Sequence, residues 1–251
     1  MGRPASLDFD WAIRTGGRLS GRQKVQLISA MVPMMLRYPA VRLRLSTGRR
    51  GTARLDLDAL MWPDSALARD AEEHAREVLT PWVLEHSFRT WIFGLLLAQQ
   101  YAVTVDQELT FVAAVLHDLN LEHPTPGRCF AVVGGERAER FALEHDAPPD
   151  RAVAISAAIC GHLTPGVSDD LSDPAGFISG GALVDIYGYG LDTMDPAWVD
   201  DVHRRHPRRD LRRELIPAWK AEGKAVPHGR AATMTRYARL PAFVRLSPYA
   251  E

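Results

Sequence analysis

Apolar residues recur along most of this chain at three- and four-residue steps, the spacing that lines one face of an α-helix. Over residues 21–38 they fall at Val25, Ile28, Met31, Val32, Met35 and Leu36, which predicts an amphipathic helix with Pro33 as a point for a kink. The rhythm then changes. Residues 41–45 and 53–57 alternate apolar with polar positions around a turn-like segment at 46–52, and this pattern predicts a β-hairpin. Pro63-Asp64 ends the region. Residues 1–60 are therefore expected to be an N-terminal helix-plus-hairpin extension, separable from a helical domain at 61–251.

Helical signals continue to about Gly190. Residues 65–79 read as a polar-faced helix, and Thr80-Pro81 restarts the chain with an N-cap hydroxyl and a proline at the first helical position of a helix running to about Tyr101. Thr104-Val-Asp-Gln107 has a capping-box pattern, followed by Leu109, Val112, Val115, Leu116 and Leu119 at core spacing. Residues 122–130, with Pro124, Pro126 and Gly127, must be a loop. Further helices are expected at 135–145, 150–160 and 177–189. The fold class is mainly α.

Composition narrows the picture. A chain of 251 residues with 46% hydrophobic content can bury one large core. Its formal net charge of −1 provides no global field toward nucleic acid or an anionic membrane, so recognition must be local. The six arginines within 203–213 are interleaved with acids and fit a solvated helix surface. No apolar run approaches the roughly 20 residues that span a bilayer, and the start lacks a signal-like apolar segment, so a cytoplasmic location is expected. Cys129 and Cys160 are too few for a disulfide framework and read as reduced core thiols. A small-molecule substrate is the expected partner, with homo-oligomer formation left open.

The candidate chemistry lies in His86, the adjacent pair His117-Asp118, and Asp185, all in apolar surroundings. An ionised carboxylate in Gly181-Ala-Leu-Val-Asp185 is costly unless paired or bound to a cation. Two neutral imidazoles and two carboxylates form a mixed N/O set suited to zinc, iron or manganese and poor for calcium. A bland reading stands beside each residue. Taken alone, His86 is more often a hydrogen-bonded core histidine, and Asp185 a buried cap or a salt-bridge partner of Arg89.

The segments Pro63-Asp-Ser-Ala-Leu-Ala-Arg69, Glu85-His-Ser-Phe-Arg-Thr-Trp-Ile-Phe-Gly94, Ala113-Ala-Val-Leu-His-Asp-Leu119, Phe130-Ala-Val-Val-Gly-Gly135 and Gly180-Gly-Ala-Leu-Val-Asp-Ile186 together resemble the HD-domain superfamily of metal-dependent hydrolases, and within it the cyanamide hydratase-like branch. The resemblance covers roughly residues 63–228. It implies an HD helical bundle, His86, His117, Asp118 and Asp185 as metal ligands, and zinc as the first choice of ion, with iron or manganese as alternatives. It also implies a hydratase or hydrolase in which metal-bound hydroxide adds to a small substrate such as cyanamide or a nitrile. His162 is the candidate proton donor or substrate anchor, and Arg89 the second candidate catalytic residue. A phosphohydrolase using Arg89, Arg128 and Arg137 is the alternative. Behind it come a diiron oxygenase drawing further ligands from His123, His145 and His162, and a non-catalytic HD regulatory module.

Overall fold

The computed structural model describes Pro4 and residues 6–249. In chain order α1 spans Phe9–Thr15, α2 Gly21–Ser46, α3 Ala66–Val78, α4 Pro81–Gln100, α5 Gln107–Leu116, α6 Phe130–Glu144 and α7 Pro149–His162. Then come α8 at Pro174–Tyr187, α9 at Pro196–Arg205, α10 at Leu211–Ala225, α11 at Arg230–Ala238 and α12 at Leu240–Arg245. The described residues form a mainly helical protein whose β-type pairing is limited to isolated bridges.

The expected β-hairpin is absent. Residues 41–45 are part of α2, whose start is fixed by a capping box between Ser20 and Gln23. Leu and Arg are good helix formers, and Tyr38, Val41 and Leu45 recur at three- and four-residue steps on the packed side while Leu43 points outward. The alternation at 53–57 is real but has no neighbouring strand. Ala53 bridges only to Met194, its N–H donating to Thr193 O at 3.2 Å, while Leu55 and Leu57 lie against the main core. Gly51 makes this close path possible, since a Cβ there would meet Thr193 O at 1.7 Å.

α4 is the central element, buried on nearly every side and packed against α5 and α8. Its contact with α8 is a backbone approach: a Cβ on Gly181 would lie 1.9 Å from Thr90 O, and one on Gly94 2.7 Å from the Phe177 ring. Small residues at these positions set the separation of the two helices. Asp185, one turn beyond Gly181, is thereby brought beside His86 and Arg89 on α4. Around α4, one core cluster is centred on Phe88, Trp91, Phe111 and Phe177. A second joins Trp11, Leu27, Met31, Trp82, Phe130 and Trp219. Among the described residues before 60, α1 and α2 bury side chains in the same cluster as α6 and α10.

Several helix starts differ from the sequence reading, α8 among them, which begins at Pro174 rather than Phe177. α6 begins at Phe130 rather than near Gly135, and Asp106, not Thr104, caps α5 by accepting from Leu109 N at 3.0 Å. Residues 203–213 are not a uniform solvated surface. They contain the end of α9, a turn with positive φ at Arg209 and Asp210, and Arg208, which is 4% exposed. No helix among the described residues is long and apolar enough to cross a membrane.

Candidate metal centre

His86 projects from α4, while His117 and Asp118 form the turn that closes α5. All three are buried, and one donor atom from each lies within 4.8 Å of the others, so the group could hold a metal ion. Asp118 Oδ2 is 3.3 Å from His117 Nε2 and 3.8 Å from His86 Nε2. Burial alone pushes the Asp118 carboxyl upward, but the charge and hydrogen bond of His117 reverse this and hold it at about 2. Burial also lowers His117, and there the Asp118 charge more than compensates, leaving the imidazole raised. For His86 burial prevails and the neutral ring is favoured.

The orientation of the rings decides whether these groups fit an ion. His86 Nδ1 is 2.6 Å from Asp185 Oδ2, His117 Nδ1 is 2.7 Å from Ala114 O, and His162 Nδ1 is 2.6 Å from Ile159 O. Each acceptor takes an Nδ1–H, so the neutral rings of His86 and His162 carry their lone pair on Nε2, the tautomer in which metal-binding histidines are held by their surroundings; His117, raised by Asp118, presents its Nε2 lone pair once it gives up the proton it shares with that carboxylate. The three-group set of two imidazoles and one carboxylate fits a divalent ion of the zinc, iron or manganese class.

Asp185 occupies a different place from the one expected of a ligand. Both of its oxygens are engaged behind His86: Arg89 Nε donates to Oδ1 at 2.7 Å, Arg89 donates a second bond to Oδ2 at 3.0 Å, and Arg208 donates to Oδ1 at 3.0 Å. Burial opposes ionisation, but the Arg89 and Arg208 guanidinium groups hold the carboxyl well below its ordinary range. Arg89 is fully buried and also donates to the carbonyls of His206 and Pro207. The salt bridge of Asp185 with Arg89 is present in the structure, and both nitrogens that Arg89 turns to this carboxylate lie behind His86. Arg208 was missed by the sequence reading. Nothing in a run of six arginines marks one of them as buried.

In front of the three groups lies a cavity of about 160 Å³. His86, His117, Asp118 and His162 line it, and Asp185 and Arg89 do not. The remaining wall is largely apolar, with Phe130, Leu183, Ile186 and Trp219 joined by Met31, Met34 and Arg37 of α2. His162 lies in this wall, its ring 5.0 Å from that of His117. Burial pushes it down to about 3, aided by the neighbouring His117 charge. At neutral pH the His162 ring is therefore neutral, with Nε2 able to accept a hydrogen bond or a proton.

The other residues considered from sequence lie elsewhere. Arg128 pairs with Glu136 at 2.5 Å, and Arg137 donates to Leu119 O and Asn120 Oδ1. His123 is exposed, while His145 stacks on Phe141 at the end of α6, its Nδ1 donating to Phe141 O. A diiron set that needs two of His123, His145 and His162 is left with His162 alone. The geometry defines a helical protein with a buried His-His-Asp group at the floor of an apolar cavity. No protein-family model matches the chain, and no curated protein matches it.

Proposed function

We propose that the protein is a metal-dependent hydratase or hydrolase of HD type acting on a small, largely uncharged substrate such as cyanamide or another nitrile. The observation that carries this reading is the convergence of His86, His117 and Asp118 on a cavity of about 160 Å³ whose other walls are mostly apolar. That space is of the size that admits a small organic molecule. A divalent ion held there would make bound water acidic enough to ionise near neutral pH and would polarise the substrate. His86 and His117 would present Nε2 to it, with Asp118 as the anionic ligand. Asp185 holds the proton on His86 Nδ1 and fixes that ring against rotation. His162, neutral with Nε2 free, accepts a proton from the attacking water or anchors the substrate. The apolar wall limits the access of bulk water.

A phosphate ester would ask for fixed cations around the anion. Arg89, Arg128 and Arg137 are engaged away from the cavity, and Arg37 is the guanidinium that lines it. Arg37 is what favours the phosphohydrolase reading, which we place second. The deciding experiment is a screen of the zinc-, iron- and manganese-loaded protein against cyanamide, small nitriles and nucleotides, with metal content measured on the same preparation. Turnover of a nitrile with one ion per chain is expected. Turnover of nucleotides alone would replace this reading with the second, and a protein that takes up no metal would remove both.

A further inference from the structure

The near-neutral total charge conceals a strong local asymmetry. Between Trp11 and Leu55 the chain has ten Lys and Arg and no Asp or Glu, whereas the rest carries 20 Lys and Arg against 31 Asp and Glu. α2 is the main element of this basic segment. On its outer side Val25, Val32, Leu36 and Leu43 are 64%, 43%, 74% and 65% exposed, an apolar stripe at steps of four and seven residues. At 100° per residue these four side chains fall within one narrow sector of the helix. Arg22 and Arg44 project on one flank of the stripe, with Arg37 farther round toward the cavity it lines, and Lys24 and Arg42 on the other flank. Among the described residues Arg44 is spent on Asp192, but Arg22, Arg37 and the following Arg49 make no ion pair.

We propose that this face of α2 docks the protein on an anionic phospholipid bilayer. A helix with an apolar stripe flanked by cations lies in the membrane interface, its apolar side among the acyl chains and its long basic side chains reaching the headgroups. Each Lys or Arg near such a surface adds attraction to the negative leaflet. The alternatives fit less well. A second copy seated face to face would bring the flanking cations against their own kind, and a nucleic acid would leave four exposed aliphatic side chains without a partner. The opposite side of the same helix lines the cavity through Met31 and Met34, so the bilayer and the candidate centre lie on two sides of one helix. The proposal does not depend on the chemistry at that centre.

The test uses the full chain and vesicles of phosphatidylcholine, with and without phosphatidylserine. The protein is expected to cosediment with the mixed vesicles, weakly with phosphatidylcholine alone, and less in high salt. Leu36→Asp with Leu43→Asp should abolish the binding, and since both residues are exposed, circular dichroism and metal content should match wild type. Arg22→Gln and Arg49→Gln should each weaken partition about five-fold. Absence of vesicle binding would overturn the proposal, as would binding that survives the double Leu variant. So would a wild-type dimer that the Leu variant converts to monomer without any vesicle affinity, or tight binding to duplex DNA in place of vesicles.

Discussion

The floor of the cavity and its α2 wall are built on opposite physical terms. At the floor His86, and behind it Arg89, Asp185 and Arg208, are all nearly inaccessible, and these groups are tied by charge-assisted hydrogen bonds of 2.6–3.0 Å. The α2 wall is dominated by Met31 and Met34, unbranched side chains joined by Arg37 on a helix that contains Pro33 and Pro39, with its far side open to solvent. A buried ion cluster has one geometry and fails when a member is lost, whereas methionines fill irregular space and tolerate change. The contrast separates a rigid part from an adaptable one; under the proposed function the first would set the chemistry and the second what fits.

Four measurements would break or sharpen that contrast. The largest effect is expected from His117→Ala or Asp118→Ala, each removing one of three grouped donors. Metal should fall to background and turnover below detection, read by elemental analysis and a kinetic assay. Full occupancy with wild-type turnover would disprove the site.

Next is Asp185→Ala, which leaves the buried Arg89 and Arg208 without their carboxylate. The expected cost is about 3–5 kcal/mol in urea denaturation, with a 10–100-fold loss in metal affinity through His86. Asp185→Asn should recover part of the stability and little of the affinity. Equal affinity in all three proteins would make the cluster purely structural.

A smaller effect concerns pH in the metal-free protein. His162 titrates at its ordinary 6.5 when unfolded and at about 3 when folded. Between these values the unfolded state binds more protons, so this contribution is complete above 6.5 and is lost as pH falls toward 3. His203, lowered by burial to about 4, acts in the same direction. In His162→Gln the slope of stability against pH should flatten by up to about 1.4 kcal/mol per pH unit. An unchanged slope would mean that His162 is solvated or protonated in the fold. The smallest effect belongs to the wall: Met34→Ala, half-buried, should cost about 1 kcal/mol and leave metal content unchanged. Loss of metal in this variant would show that wall and floor are one unit.

The same contrast explains what could be read from the residues alone. His86, His117 and Asp118 were legible because polar groups inside long apolar stretches must find a partner, and helix spacing showed those stretches would be buried. The side of His86 on which Asp185 sits was not legible. Ligand and buttress are both buried aspartates in apolar helices, and only the Gly181 approach to Thr90 settles the register. Arg208 was hidden by exposed arginines around it, and residues 41–45 were misread because Leu-Arg alternation satisfies a strand period while Leu45 and Val41 also satisfy a helical one. The cavity wall from α2 was invisible because it is formed by tertiary packing with helices far along the chain.

The span of the clamp has a consequence for how the protein is made. Asp185 meets His86 across 99 residues of chain and Arg89 across 96, and the turn bearing Arg208 must then fold back onto both. Contacts of such long sequence separation carry a loop-closure cost that local helices do not, so they are completed after the helices have formed. During synthesis the donors His86, His117 and Asp118 emerge well before the residues that orient His86. An ion held by these donors would therefore bind at full affinity only once Asp185 and Arg208 are in place, and its uptake would report the closing of this clamp rather than the formation of the helices.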